Sequence, residues 1–221
     1  MTERAGTARG VVALLTGAAL IAGAGHAAVR GLDARDAGLR TSTATPPAFA
    51  LFAGRDEPEP VWIYEGRDID GDGAADFANP TGEAPREHDD YGAGHFGASR
   101  DGGSREHAGV DYEAKAGQIV VAPISGYVTK VGYCYSDEPG LRYVEIKNPA
   151  LKLSARVLYV RADVKVGETV RMGTPIGRAA TLQDRYPGIT DHVHLEIRRH
   201  GRTIDPERVI VARLERTGDR G

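Results

Sequence analysis

The sequence predicts an all-β protein, in which an antiparallel β domain over residues 93–212 follows an apolar N-terminal segment and a polar linker. Three observations carry this. Beyond His107 the chain runs as short stretches, alternating or wholly apolar, that end at Gly, Pro or Asp. Turn signals recur at the roughly 8–12-residue spacing of an antiparallel sheet. A helical repeat is confined to the tail from Pro206 to Arg216.

The elements follow in order. Arg4 and Arg9 precede an apolar run from Gly10 to Ala24, and no further charge occurs before Arg30. A basic start, a short apolar stretch and the small residues Ala22-Gly23-Ala24 read as a secretory signal; uncleaved, the run to Val29 is long enough to act as a helical membrane anchor. Either reading of residues 1–29 sends the remainder to the cell envelope, periplasm or medium. Residues 30–60 form a polar linker, extended around Thr41–Pro47 and Asp56–Pro60.

Residues 61–92 open with a short strand, Val61–Tyr64. Asp68, Asp70, Asp72 and Asp76 then stand at positions 1, 3, 5 and 9 of a calcium-type loop with Gly73 at position 6. Asn79 occupies position 12 in place of a bidentate Glu, and Pro80 follows, so the expectation is a structural Ca²⁺ loop without a helix–loop–helix hand. The alternative is an acidic turn. The glycine-rich stretch from Tyr91 to Gly103 reads as a loop walling a site, with His95 a candidate substrate contact. Strands are expected at Gln118–Ala122, Gly126–Val131, Arg142–Lys147, Ala155–Val160, His192–Arg198 and Thr203–Pro206, with short hairpin pieces at Val164–Val170 and Gly173–Gly177, and residues 213–221 read as a tail.

Two of these segments carry chemistry. In Asp191–Ile197 the alternation turns Val193, Leu195 and Ile197 to a core and puts His192, His194 and Glu196 on the other face. Neighbours two apart on a strand are about 6.5–7 Å apart, so one His can bind a metal while the other reaches what the metal holds. His107 and Asp111 form a second pair, with Gly109 easing a bend between them. Two His and one Asp make three ligands with a fourth position free, the pattern of a catalytic zinc site. The net charge of −3 and pI near 6.2 give no basic field for nucleic acid. Cys134, the single cysteine, excludes an intrachain disulfide and a Cys-based zinc site.

His107-x-Gly109-x-Asp111, Ala122-Pro123-x-x-Gly126, Tyr159, the run from Val166 to Gly177 and His192-x-His194 together resemble the lysostaphin/LytM-type zinc metallopeptidases, over roughly Gly94 to Ile210. The resemblance implies a twisted antiparallel sheet of the duplicated hybrid type. It also implies Zn²⁺ on His107, Asp111 and His194, His192 as the catalytic histidine, and peptidoglycan peptides as substrate. Tyr186-Pro187-Gly188-Ile189 before His192-Val193-His194, with Ser99-Arg100 upstream of His107, is similar to the leukocyte cell-derived chemotaxin branch. That second likeness implies a zinc-stabilised module that binds murein or a protein partner without cutting.

One departure stands out. Where the family carries Tyr-x-His-Leu, this chain has Tyr159-Val160-Arg161-Ala162. Arg stays protonated and cannot serve as a base. The expectation is that Arg161 faces the cleft as a catalytic group and, with Tyr159 as the other candidate, donates hydrogen bonds to an oxyanion; the alternative is that Arg161 points to solvent and the second histidine is lost. Glu196 is expected to orient a ligand imidazole.

Overall fold

The computed structural model describes residues 60–215. The expected signal or anchor, the linker up to residue 59 and residues 216–221 lie outside them. The first strands are β1 (Val61–Gly66), β2 (His88–Asp89), β3 (Gly92–Ala93), β4 (Ser99–Arg100), β5 (Arg105–Glu106), β6 (Val110–Glu113), β7 (Ile119–Val121) and β8 (Gly126–Tyr133). They are followed by β9 (Arg142–Asn148), β10 (Leu153–Leu158), β11 (Val160–Ala162), β12 (Thr169–Val170), β13 (Pro175–Ala179), β14 (His192–Arg199), β15 (Arg202–Ile204) and β16 (Ile210–Glu215). Among the described residues the helical elements are two short 3₁₀ turns, Asp101–Gly103 and Pro206–Arg208. The fold is all-β and antiparallel, as the alternation predicts.

The main sheet has the order β12-β8-β9-β10-β14-β15, with β6 paired to the N-terminal half of β14. Strands β8, β9 and β10 are sequential antiparallel neighbours, and β14 closes on β10 along its length. Their apolar positions meet on one face: Val128, Val144, Ile146, Val157, Val193, Leu195 and Ile197 are fully buried. Each such side chain contributes about 1.5–3 kcal/mol of burial. The opposite face carries the polar residues and becomes the floor of the functional site.

Residues 61–92 pack into the same core. Strand β1 pairs with β16, and Phe77 is buried. Residues 84–86 run beside β6, where Arg86 N–H donates to Asp111 O and Glu113 N–H to Ala84 O (2.6 and 2.9 Å).

Two expected elements come out differently. The helical repeat in the tail yields one 3₁₀ turn, capped by the Asp205 carboxylate accepting from Glu207 N–H (3.0 Å), after which Ile210–Glu215 is a strand. Pairing with β1 and the burial of branched Ile210 outweigh the local repeat. The strand expected to run through Val160 breaks at Tyr159, whose φ of 67° is uncommon for a residue with a side chain. Beyond the break β11 joins a separate sheet of order β11-β13-β7.

Candidate metal centre and its cleft

Sheet register builds the centre. Asp111 on β6 is directly opposite His194 on β14, so both side chains rise from one face. His192 stands two residues back on that face. His107 reaches the same point from the turn before β6, and that approach requires Gly109: a Cβ there would lie 2.2 Å from Leu195 O and 2.9 Å from the His194 ring. His107 Nε2, Asp111 Oδ1 and His194 Nδ1 are separated by 3.1, 2.8 and 2.9 Å. Ligands on a tetrahedral Zn²⁺ with bonds of about 2.0–2.1 Å stand about 3.3 Å apart, so the three atoms fit that ion to within a few tenths of an ångström.

The outward nitrogens explain why the inward ones are free to bind. His107 Nδ1 donates to His95 O (2.8 Å) and His192 Nδ1 to Thr190 O (2.7 Å), since a carbonyl only accepts. His194 Nε2 faces the Glu196 carboxylate at 3.5 Å. Each neutral ring therefore aims a lone pair inward, where Asp111 Oδ1 already presents another acceptor. Such a set demands positive charge at its centre, from protons or a cation, which is the donor chemistry of a metal site. The pull is visible in His194: burial alone would depress its pKa, yet the Asp111 and Glu196 contacts raise it. His192 goes the other way, its pKa lowered by burial against the opposing influence of Asp111 and the Thr190 carbonyl, so it rests neutral.

Asp111 is held from behind. Arg86 Nη2 and Arg100 Nη2 lie 3.0 and 3.4 Å from its Oδ2. Arg86, itself buried, also donates from Nη1 to Gly92 O (2.8 Å) and pairs with Asp89 (2.7 Å). Burial acts to raise the Asp111 carboxyl, but its imidazole neighbours hold it well below the usual carboxylate range. One oxygen is thus fixed outward and the other inward.

A cleft of about 340 Å³ opens over these residues. Arg100, Arg105, Tyr91, Tyr135, Tyr159 and Tyr186 are among the residues that line it. The Tyr159, Tyr135 and Tyr186 hydroxyls form a chain with 3.0 Å steps, and the Tyr159 ring meets the His192 ring edge-on at 5.4 Å. Burial pushes the Tyr135 phenol up to about 12 and raises Tyr159 further, so both remain protonated donors.

Residues 105–206 match peptidase family M23. The chain is 31% identical over 124 residues to leukocyte cell-derived chemotaxin-2 of Mus musculus, an alignment covering 54% of this chain and 76% of that one. The chain belongs to peptidase family M23. An uncharacterized metalloprotease of Haemophilus influenzae is 32% identical over 104 residues, which is 46% of this chain but 20% of that protein. Among solved structures, the antimicrobial peptidase lysostaphin from Staphylococcus simulans overlaps at a TM-score of 0.43 and 21% identity, covering 59% of this chain and 54% of that one.

Within this M23 chain, His107, Asp111, His192, His194, Glu196 and Tyr159 line one cleft. Arg161 does not. It is exposed on β11, opposite Arg178, and lines a separate hollow with Glu138, Asp184 and Arg185. The left-handed turn at Tyr159 interrupts strand alternation and buries Val160, which carries Arg161 outward. His95 contributes its carbonyl to His107 while its side chain is exposed. Arg86, Arg100 and the tyrosine chain complete the site.

In the acidic loop, the Asp68, Asp70 and Asp76 carboxylates lie within 4.8 Å of one another, and Asp72 is outside that group. Asp68 already accepts from Gly71 and Gly73 N–H at 2.6 and 2.8 Å, and Asp76 from Ile69 N–H at 2.8 Å. Asn79 is buried with its side chain bonded to Thr81, Gly82 and Glu83, so position 12 supplies no ligand to the loop.

Proposed function

We propose that this M23 chain is an exported zinc metalloendopeptidase that hydrolyses peptide cross-links or stem peptides of peptidoglycan. His192 carries this reading. It is a third imidazole on the face of the ligand trio, with Nδ1 fixed by Thr190 O and Nε2 aimed inward, 3.5 Å from Asp111 Oδ1. A purely structural metal site has no use for such a group.

His107, Asp111 and His194 would hold the ion. Bound there, Zn²⁺ supplies the Lewis acid that activates water and polarises the scissile carbonyl. Neutral His192 takes the proton from the attacking water at Nε2 and returns it to the leaving amine. Tyr159, protonated and beside His192, donates to the developing oxyanion in the place expected for Arg161. Arg86 and Arg100 keep Asp111 from rotating, and Glu196 keeps His194 in the tautomer that points Nδ1 inward. The basic start and apolar run before Arg30 support export, with a membrane tether if that run stays uncleaved.

A zinc-stabilised module that binds murein or a protein partner is the second reading. It is favoured by the outward turn of Arg161, which leaves His192 as the one imidazole of the cleft outside the ligand trio. Digestion of purified peptidoglycan by the zinc-loaded protein, read by mass spectrometry, separates the two. Cleavage should produce new peptide ends and fall about 10²–10⁴-fold in His192→Ala with zinc content unchanged. No new ends from fully zinc-loaded protein that still co-sediments with the wall would establish the binding module instead.

A further inference from the structure

The polar face of the main sheet is organised into three rungs by its register. The first holds Asp111, His194, Leu158 and Tyr143 in line across four strands. The second holds Glu196, Arg156 and Glu145, with Arg156 paired to both carboxylates at 3.7 and 3.1 Å, and Lys130 opposite Glu145. Its charges cancel within the rung. The third holds Arg198, Ser154, Lys147 and Tyr127. It contains two cations and no carboxylate. The nearest acids are Glu196 and Glu145, at 3.9 and 4.0 Å, and both are already engaged by Arg156.

A hollow of about 480 Å³ lies over this third rung, and Lys152 from the β9–β10 turn adds another ammonium to its wall. The hollow and the metal cleft are linked along the sheet by shared lining residues. Glu196 lines that cleft and, with Glu145, Ser154 and Arg198, a shallow depression beside it; the last three also line the hollow. The third rung lies four residues along β14 from the first, about 13–14 Å at strand spacing.

We infer that Arg198, Lys147 and Lys152 form a subsite for a carboxylate borne by an extended peptide that reaches the metal centre along this trough. The distance corresponds to about four residues of extended chain, so the acidic residue sits about four positions from the bond at the centre. The inference rests on the proposed peptidase reading only for what happens at that bond. The cations are half-exposed, so their contribution is screened by salt.

The test uses the full chain, zinc-loaded and carrying His192→Ala so that bound peptide persists. Two synthetic peptides of equal length are titrated, one with a glutamate and one with a glutamine four residues from a central Ala-Ala bond, together with inorganic phosphate. The glutamate peptide should bind at least tenfold more tightly, and the preference should shrink as salt rises. It should vanish in Arg198→Gln/Lys147→Gln, with affinity for the glutamine peptide unchanged. These side chains are 46% and 51% exposed, so the fold should tolerate the change; circular dichroism and zinc content check it, and Lys152→Gln gives an independent reading. Equal affinities, or a preference that survives the substitutions, would overturn the subsite. Displacement of the peptide by phosphate at equal concentration would also overturn it, by showing a general anion site. Charge-selective binding here, with no peptidoglycan cleavage by the zinc-loaded chain that retains His192, would sink the hydrolase reading and leave the subsite standing; cleavage by that chain without charge selectivity here would do the reverse.

Discussion

Asp111 and His194 face each other directly across the β6–β14 ladder, with Oδ1 of one 2.8 Å from Nδ1 of the other. Two of the three donor atoms of the ligand trio are therefore placed by backbone hydrogen bonding and not by loop packing. The third, on His107, is placed by a close crossing of the turn before β6 over β14. With two ligands set by a ladder and one by a close crossing, substitutions in the centre should separate into ligand loss and shape loss.

Asp111→Asn is the ligand-loss case. The amide keeps the shape but removes the charge that the imidazoles and two guanidiniums surround. Zinc affinity should fall by more than about 100-fold, beyond the 10–100-fold usual for partners that only orient a ligand. Buried Arg86 also loses its ionic partner on that side, at a cost of about 1–3 kcal/mol. Zinc content after dialysis and urea unfolding measure the two effects. Retention of zinc would remove Asp111 from the ligand set.

Gly109→Ala is the shape-loss case. The added methyl meets Leu195 O at 2.2 Å, and a backbone atom cannot rotate away. The turn must move, carrying His107 from its place. Overpacking of this kind costs about 1–3 kcal/mol, and zinc binding should weaken although all three ligand side chains are intact. A crystal structure of the variant with His107 undisplaced would contradict the argument.

The contrast between ladder and loop also explains what the sequence revealed. The alternation in β14 announced its buried and polar faces because strand geometry allows little else. Arg86 was illegible: it lies 25 residues before Asp111 and reaches it only because residues 84–86 pair beside β6. Arg161 was expected in the cleft from its position in the family motif, but the left-handed residue Tyr159 turns Val160 into the core and Arg161 to the surface. The tail misled for a related reason, since its partner β1 lies at the far end of the described chain. Local pattern gave the faces; long-range pairing decided what met on them.

Tyr159→Phe tests the residue that the left-handed turn delivers to His192. The ring contact is kept and the hydroxyl removed, ending the 3.0 Å bond to Tyr135. If Tyr159 donates to the oxyanion, kcat should fall about 10²–10³-fold with KM nearly unchanged. Loss confined to KM would assign the tyrosine to substrate binding alone.

Asp89→Asn gives a prediction with a pH signature. Asp89 ties the loop before β3 to the approach of β14, accepting from Tyr91 and Thr190 N–H at 2.9 and 3.0 Å and pairing with Arg86. Burial acts to raise its pKa, but these donors together hold it below the ordinary value. The unfolded chain, with Asp near 3.9, therefore takes up the proton more readily than the folded one, and stability rises with pH across that window. The contribution is fully present above about pH 4 and is lost as pH falls through the folded pKa. Asp89→Asn should cost about 1–3 kcal/mol at pH 7, and that cost should shrink steadily below about pH 4. Urea unfolding of both proteins in EDTA, which removes metal linkage, measures the difference at each pH. A penalty that stayed constant down to pH 2 would mean that Asp89 acts through shape and not through its charge.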